Sequence, residues 1–160
     1  MSSLKFTAPY QARRFPAGVI ARVGNVTFTA DDLAHALFAT GRAPGDRWTH
    51  GAASMWEWVH RTTLIPAYIR RTPGGELTRS QLALELDRSE KVGISYAIGQ
   101  ALTGIFCEQL LSTAFLMHID RYATRFNVTF NATRKRADLF GPYGPGGWIV
   151  AEAKGRSNAM

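Results

Sequence analysis

The chain has 160 residues, of which 46% are apolar, so it can bury a hydrophobic core and an intrinsically disordered protein is excluded. Its formal charge of +7, from 19 Lys and Arg against 12 Asp and Glu, favours phosphate-rich partners such as DNA. Cys107 is the only cysteine, which excludes a disulfide framework or a cysteine zinc site within one chain. The N-terminus lacks the apolar segment of a secretory signal, and the most apolar stretch, 92–117, is interrupted by polar residues. We therefore expect a cytoplasmic protein that is not embedded in a membrane.

The pattern of the N-terminal third predicts an extended arm, a hairpin and a helix. Residues 1–16 form the expected arm. Residues 19–29 are expected to form a hairpin that turns at Gly24-Asn25, because both residue types tolerate positive φ angles. Thr29 and Asp32 have the spacing of a capping box, which predicts the start of a helix at "ADDLAHALFAT".

A second helix is predicted over 52–71, with a break or kink near Pro66. The tryptophans in and before it are expected to lie in the core. The turn-rich segment 71–76 follows, and we place the boundary between two regions there: an N-terminal hairpin and helical region over 1–75, and a second region over 76–160.

The second region has the order of one long helix followed by strands. Thr78 and Gln81 have capping-box spacing, and the strongest helical periodicity runs from about residue 90 to 112. Three strand-like runs follow, at 114–120, 127–140 and 148–154, and a glycine-rich loop over 141–147 joins the last two. This order predicts an antiparallel meander and an α/β protein of the α+β kind.

The last predicted strand carries an acid and a base close together. Side chains alternate along a strand, so Glu152 and Lys154 lie on one face. The loop before the strand folds it back, which brings Asp138 within a residue or two of the position opposite Glu152. Paired carboxylates hold Mg²⁺, and a lysine beside them can orient water or stabilise charge on a phosphate. A salt bridge on a hairpin surface is the alternative explanation.

The sequence "ADL" at 137–139, the glycine-rich turn and the apolar run into "EAK" at 152–154 resemble the PD-(D/E)xK nuclease superfamily, which has the restriction-endonuclease-like fold. Ala137 stands where that family often has proline. The resemblance implies that Asp138 and Glu152 bind Mg²⁺ or Mn²⁺, that the backbone carbonyl of Ala153 is a further ligand, and that Lys154 supports the attacking water. The implied function is hydrolysis of DNA phosphodiester bonds.

The resemblance also implies a particular architecture. Residues 76–160 would form a partial restriction-endonuclease-like core, without the crossover helix and fourth strand that usually follow the E-x-K motif. Either a second copy of the chain or a partner chain completes the core, or the protein is a truncated or decayed member of the superfamily. The alternative function is a non-catalytic nucleic-acid-binding or assembly module derived from a nuclease fold. An interaction subunit is a third.

Further residues are candidates for accessory roles. Glu90 and Glu108 fall on the apolar stripe of the long helix, where a carboxylate is costly unless it is paired or binds metal. We favour a helix N-terminal role for Glu90 and an arginine pair for Glu108, with a place near the metal as the alternative. A structural role is favoured for His118. Four basic residues would surround the acids and contact phosphates, with a solvated charged strand end as an equal alternative: Arg134, Lys135, Arg136 and Arg156.

Overall fold

The computed structural model describes residues 4–129 and 137–154. Within these ranges the chain mixes helices with three small antiparallel sheets, which confirms the predicted α+β class. The helices are α1 (Ala30–Ala39), α2 (Ala52–Tyr68), α3 (Gln81–Glu85), α4 (Arg88–Leu111) and α5 (Ile119–Tyr122). The strands are β1 (Lys5–Gln11), β2 (Val23–Thr29), β3 (Ile69–Arg71), β4 (Leu77–Arg79), β5 (Met117–His118), β6 (Leu139–Tyr143) and β7 (Gly147–Ala151). The sheets are β1-β2, β3-β4 and β5-β6-β7.

The first sheet corrects the predicted hairpin over 19–29. The arm contains a strand, β1, which pairs with β2, so the predicted turn at Gly24-Asn25 is wrong. Gly24 lies inside β2 opposite Tyr10, and a Cβ added to it would stand 2.7 Å from the Tyr10 hydroxyl oxygen. Because Gly24 has no side chain, the Tyr10 ring can lie close to the backbone of β2. Glycine is also common in turns, which is why the sequence pattern predicted a turn here.

The start of α1 is confirmed in detail. The Thr29 hydroxyl oxygen accepts a hydrogen bond from the Asp32 N–H at 3.1 Å, and the Asp32 carboxylate accepts one from the Thr29 N–H at 2.7 Å. This reciprocal pair is a capping box, and it satisfies backbone donors that the first helical turn leaves without partners. The α1 helix then ends at Ala39, just before Gly41, whose φ is +92°.

The second helix and the segment after it differ from prediction. The α2 helix continues past Pro66 but ends at Tyr68, and β3 follows at once, in a hairpin with β4. Thr78 lies within β4, so its predicted cap is wrong; Ser80 caps α3 instead, since its hydroxyl accepts the Ala83 N–H at 3.1 Å. Pairing between β3 and β4 satisfies the backbone N–H and C=O groups of residues that follow the end of α2 and no longer take part in its hydrogen bonds.

The largest core joins both predicted regions. The boundary predicted at residue 75 falls in the turn between β3 and β4. Buried residues on both sides of it form one hydrophobic cluster, made of Phe6, Val26, Phe28, Leu33, Ala36, Leu37, Ile69, Ile98, Ala101 and Ile105. The long helix α4, confirmed close to its predicted bounds, supplies the last three and packs against α1.

The tryptophans of the α2 region lie outside this core. Trp48, Trp56 and Trp58 are 57%, 64% and 42% exposed, so their predicted core placement is wrong. Ser54 is the one residue of α2 that is buried. The other residues of this helix are at least partly exposed, so α2 lies at the surface. In the described part of the chain, no helix combines the length and apolar character that crossing a membrane requires.

The C-terminal sheet follows α4 in the predicted order but with shorter strands. The run 114–120 contributes only β5, after which the chain turns into α5. Ile119 donates its N–H to the Asp138 carbonyl at 3.1 Å, and its side chain packs with Met117, Tyr122 and Phe140 in a second core. Burial of these side chains favours the helical turn over a longer strand.

Candidate active site

The β6-β7 hairpin determines where the predicted acids lie. Its strands pair from Tyr143 with Gly147 down to Leu139 with Ala151. Extended by one position, the same register would put Asp138 opposite Glu152. Directly opposite residues of an antiparallel pair have side chains on the same face. The hairpin is therefore consistent with the two predicted carboxylates sharing a face.

Asp138 is held on both its backbone and its side chain. Its carboxylate Oδ2 accepts the backbone N–H of Ala153 at 3.2 Å. Its carbonyl accepts the Ile119 N–H at 3.1 Å, and the imidazole of His118 is hydrogen-bonded to the Asp138 backbone as well. Two segments, the one after β7 and the one that joins β5 to α5, therefore contact this half-buried aspartate, which gives it a defined position.

Glu152 and Lys154 form an exposed ion pair. The Lys154 Nζ and Glu152 Oε1 atoms are 3.2 Å apart, and the side chains are 71% and 52% exposed. Pairs this exposed contribute about 0–1 kcal/mol, so a cation or a phosphate can displace one partner at little cost. Lys154 also lines an apolar pocket of about 280 Å³, whose other basic residues are Arg79 and Lys91.

The donor set fits a hard divalent cation. Among residues 4–129 and 137–154, no group of three or more His, Cys, Asp and Glu side chains could hold a metal ion. Mg²⁺ does not need such a group: it binds through one or two carboxylates and completes its shell with water and substrate phosphate oxygens. Asp138 and Glu152 supply two carboxylates, and the Ala153 carbonyl predicted as a ligand lies next to them in the chain. This oxygen-only set suits Mg²⁺ or Mn²⁺ and does not suit a structural zinc.

The two accessory glutamates lie far apart. Glu90 and Glu108 stand eighteen residues apart on α4, which at 1.5 Å per residue separates them by about 27 Å. Glu108 is exposed, so its predicted place on the apolar stripe is wrong; it lines a small pocket that also includes Arg47. Glu90 completes the capping box of α4, since its carboxylate accepts the Asp87 N–H at 3.2 Å, which agrees with the favoured N-terminal role. The two residues cannot serve the same ion.

The four residues predicted to contact phosphates lie outside the described residues: Arg134, Lys135, Arg136 and Arg156.

A cleft of about 520 Å³ opens between α2 and α4. We call it the arginine cleft. The polar and aromatic side chains that line it are Thr40, Arg42, His60, Arg61, Tyr68, Glu90, Tyr96, Gln100, His118 and Arg121. Gly41 precedes Arg42; its N–H donates to the Leu116 carbonyl at 2.8 Å, and its carbonyl accepts the His118 N–H at 3.1 Å. These bonds bring Arg42, on the segment after α1, next to β5.

One carboxylate holds two of the arginines. Glu57 Oε1 lies 2.6 Å from the Arg42 Nη2 and 2.9 Å from the Arg61 Nε. Burial raises the pKa of Glu57, but the hydrogen bonds and charges of Arg61 and Arg42 outweigh it and leave that pKa below its usual value. A guanidinium has five N–H donors, so two guanidinium groups that share one carboxylate keep donors for a second anion.

The charges of the arginine cleft and of Asp138 act on the same groups. Burial lowers the pKa of His118; Asp138 opposes this effect, while Arg42 and Arg61 add to it. Burial also raises the pKa of Tyr96, where the Asp138 charge adds to the effect and Arg61 opposes it. Asp138 therefore lies within electrostatic reach of two side chains that line the cleft.

The sequence did not predict this cleft. Arg42, Arg61 and Arg121 lie on three different elements, and no motif or spacing connects them. The nearest signal was the stretch around His118, whose predicted structural role agrees with its bond to the Asp138 backbone.

Comparison with known proteins yields no relative: no family model matches the chain, and no curated protein or solved structure does.

Proposed function

We propose that the protein is a nuclease that hydrolyses DNA phosphodiester bonds with the help of Mg²⁺ or Mn²⁺. The observation that carries this proposal is the register of the β6-β7 hairpin, which would put Asp138 opposite Glu152 if it is extended by one position beyond Leu139 and Ala151. Lys154 is paired to Glu152. The motif resemblance over 137–156 supports it, as does the formal charge of +7. A reducing cytoplasm suits such an enzyme, whose single cysteine makes no intrachain disulfide.

Each residue has a defined task in this proposal. Asp138 and Glu152, with the Ala153 carbonyl, would hold the cation, which supplies charge stabilisation at the phosphoryl oxygens when bound. Hydrolysis adds a water oxygen to phosphorus and breaks the bond to a sugar oxygen, which leaves with a proton. Lys154 can donate hydrogen bonds to that water or to the charge that develops on the phosphate. The hydrogen bond from the Ala153 N–H holds Asp138 in place before the substrate arrives.

The decisive experiment measures cleavage of supercoiled plasmid DNA in Mg²⁺ or Mn²⁺. The original chain is compared with Asp138→Asn, Glu152→Gln and Lys154→Met. The matched controls are Glu85→Gln and Lys5→Met, because both residues are exposed and lie on other elements, α3 and β1. We expect each site variant to lose cleavage by on the order of 10²-fold or more, and both controls to retain it.

The result that overturns the proposal is cleavage that Asp138→Asn and Glu152→Gln leave intact. DNA binding without cleavage by the original chain and every variant would instead indicate the non-catalytic nucleic-acid-binding module. A protein that binds no DNA under any of these conditions would indicate an interaction subunit.

A further inference from the structure

We propose that the arginine cleft binds an unpaired nucleotide of the DNA strand next to the cleavage position, with its phosphate at the arginines and its base against Tyr96. This inference rests on the proposed nuclease function and adds to it that the bound strand is single-stranded at the site. It comes from side chains that are far apart in the sequence and that the motif resemblance does not include.

The first support is the distribution of charge. A phosphate that approaches Asp138 and Glu152 is repelled by both carboxylates unless cations stand close to its path. Three guanidinium groups line the cleft, on the segment after α1, on α2 and on α5: Arg42, Arg61 and Arg121. One carboxylate, Glu90, lines it with them, and Asp138 lies within electrostatic reach of His118 and Tyr96 in the same cleft. Guanidinium groups bind phosphate oxygens through paired N–H donors, and fixed ones do so at a smaller entropy cost.

The second support is that two of these arginines are held in place. Glu57 bridges Arg42 and Arg61, and Arg42 Nη1 also donates to the Phe38 carbonyl. Their side chains are partly buried, at 20% and 31% exposed. Arg121 is more exposed and stacks on the Tyr122 ring, with its guanidinium carbon 5.0 Å from the ring centroid. The cleft is thus arranged before an anion enters.

The third support is an aromatic wall in the same cleft. Tyr96 is 46% exposed, and its hydroxyl accepts a hydrogen bond of 2.6 Å from the Nε2 of Gln100, which is itself only 5% exposed. This buried amide restrains the ring, which lines the cleft. An aromatic ring beside guanidinium groups is the combination that binds single strands, because the base stacks while the backbone pairs with the cations.

The same arrangement favours a single strand over a duplex. A base in a duplex is already stacked between its neighbours, so it can reach Tyr96 only after it is unpaired. The cleft volume of about 520 Å³ lies in the range of pockets that enclose one small ligand. We therefore expect an oligonucleotide without a complement to bind more tightly than the same sequence in a duplex.

The test measures affinity for a fluorescent twelve-nucleotide single strand by anisotropy, in EDTA and at several salt concentrations. EDTA removes divalent ions, so the DNA is not cleaved and no metal at Asp138 and Glu152 contributes to the measured affinity. The variants are Tyr96→Ala, Arg61→Gln and Arg121→Gln. Tyr96→Phe keeps the ring, and Tyr143→Ala and Arg22→Gln are matched controls, because both residues are exposed and lie outside the cleft.

We expect Tyr96→Ala to weaken binding roughly 5- to 150-fold and Tyr96→Phe to restore most of it. Each arginine variant should weaken binding and reduce the slope of log affinity against log salt by about 0.7. Thermal unfolding of each variant establishes that it is folded. The proposal is overturned if the cleft variants bind like the two controls, if duplex binds as tightly as single strand, or if the protein binds no DNA.

These outcomes are separate from those that test the nuclease proposal. Binding that depends on Tyr96 and the arginines, in a protein that never cleaves, supports the cleft and defeats the nuclease. Cleavage that Asp138→Asn abolishes, with binding unaffected by the cleft variants, supports the nuclease and defeats the cleft.

Discussion

Asp138 and Ala153 are joined across the β6-β7 hairpin by a hydrogen bond of 3.2 Å, from the Ala153 N–H to the Asp138 Oδ2. The same carboxylate is a predicted cation ligand. The N–H that it accepts belongs to the residue between Glu152 and Lys154. The bond therefore holds Asp138 against the E-x-K segment. One side chain thereby contributes to the fold and to the proposed chemistry.

Two substitutions of Asp138 can therefore distinguish its contribution to stability from its proposed contribution to activity. We expect Asp138→Asn to change the free energy of unfolding by less than about 0.5 kcal/mol, because the amide oxygen can still accept the N–H. Asp138→Ala should cost about 1 kcal/mol, since it removes the acceptor. Urea unfolding at pH 7 measures both. Equal stability of the two variants would show that the bond contributes nothing.

Gly141 in β6 should tolerate no side chain. A Cβ at this position would lie 2.1 Å from the Phe115 carbonyl oxygen, a backbone atom that cannot rotate away. We expect Gly141→Ala to lower the free energy of unfolding by about 2–3 kcal/mol. The matched control is Gly93→Ala in α4, where a Cβ meets nothing within 4 Å and alanine should stabilise the helix by about 0.5–1 kcal/mol. If Gly141→Ala leaves the free energy of unfolding unchanged in chemical denaturation, this description of the packing is contradicted.

Cys107 should be chemically inert while the protein is folded. Burial on α4 raises the pKa of its thiol to about 11, so very little thiolate is present at pH 8. We expect a disulfide reagent to react at least about 100-fold more slowly with the native protein than with the protein in guanidinium chloride. The absorbance of the released thiol measures both rates. Native and denatured rates within a factor of ten would place the thiol at the surface.

Glu57 should make stability depend on pH in a defined direction. Its pKa in the folded state is lowered, because the hydrogen bonds and charges of Arg61 and Arg42 outweigh burial. The unfolded chain therefore binds protons more readily at this site, and the stabilisation is present above the unfolded pKa of about 4.3 and lost as the pH falls through the lower folded value.

The measurement compares the original chain with Glu57→Gln in urea between pH 3 and pH 7. We expect a difference of at most about 1 kcal/mol at pH 7, because the carboxylate is 35% exposed and solvent screens the pair. The difference should shrink toward pH 3. Glu85→Gln on α3 serves as control, and a gap that widens in acid would reverse the inferred sign.

The sequence alone determined the features that depend on neighbouring residues. The capping box at Thr29, the extent of α4 and the meander after it follow from local hydrogen bonding and from apolar periodicity. The expected convergence of Asp138 and Glu152 rests on the same kind of information, because a short hairpin joins their segments and alternation along a strand determines the face of each side chain.

Only the tertiary structure decided the rest. Gly24-Asn25 is a dipeptide typical of turns, but Gly24 lies in β2 opposite Tyr10, whose ring occupies the space that a side chain would need. Arg42, Arg61 and Arg121 line one cleft because α2 and α4 flank it and Gly41 is bonded to β5, although these arginines are up to about eighty residues apart in the chain. Such contacts depend on how whole elements pack, and a one-dimensional pattern carries no information about which surfaces will face each other.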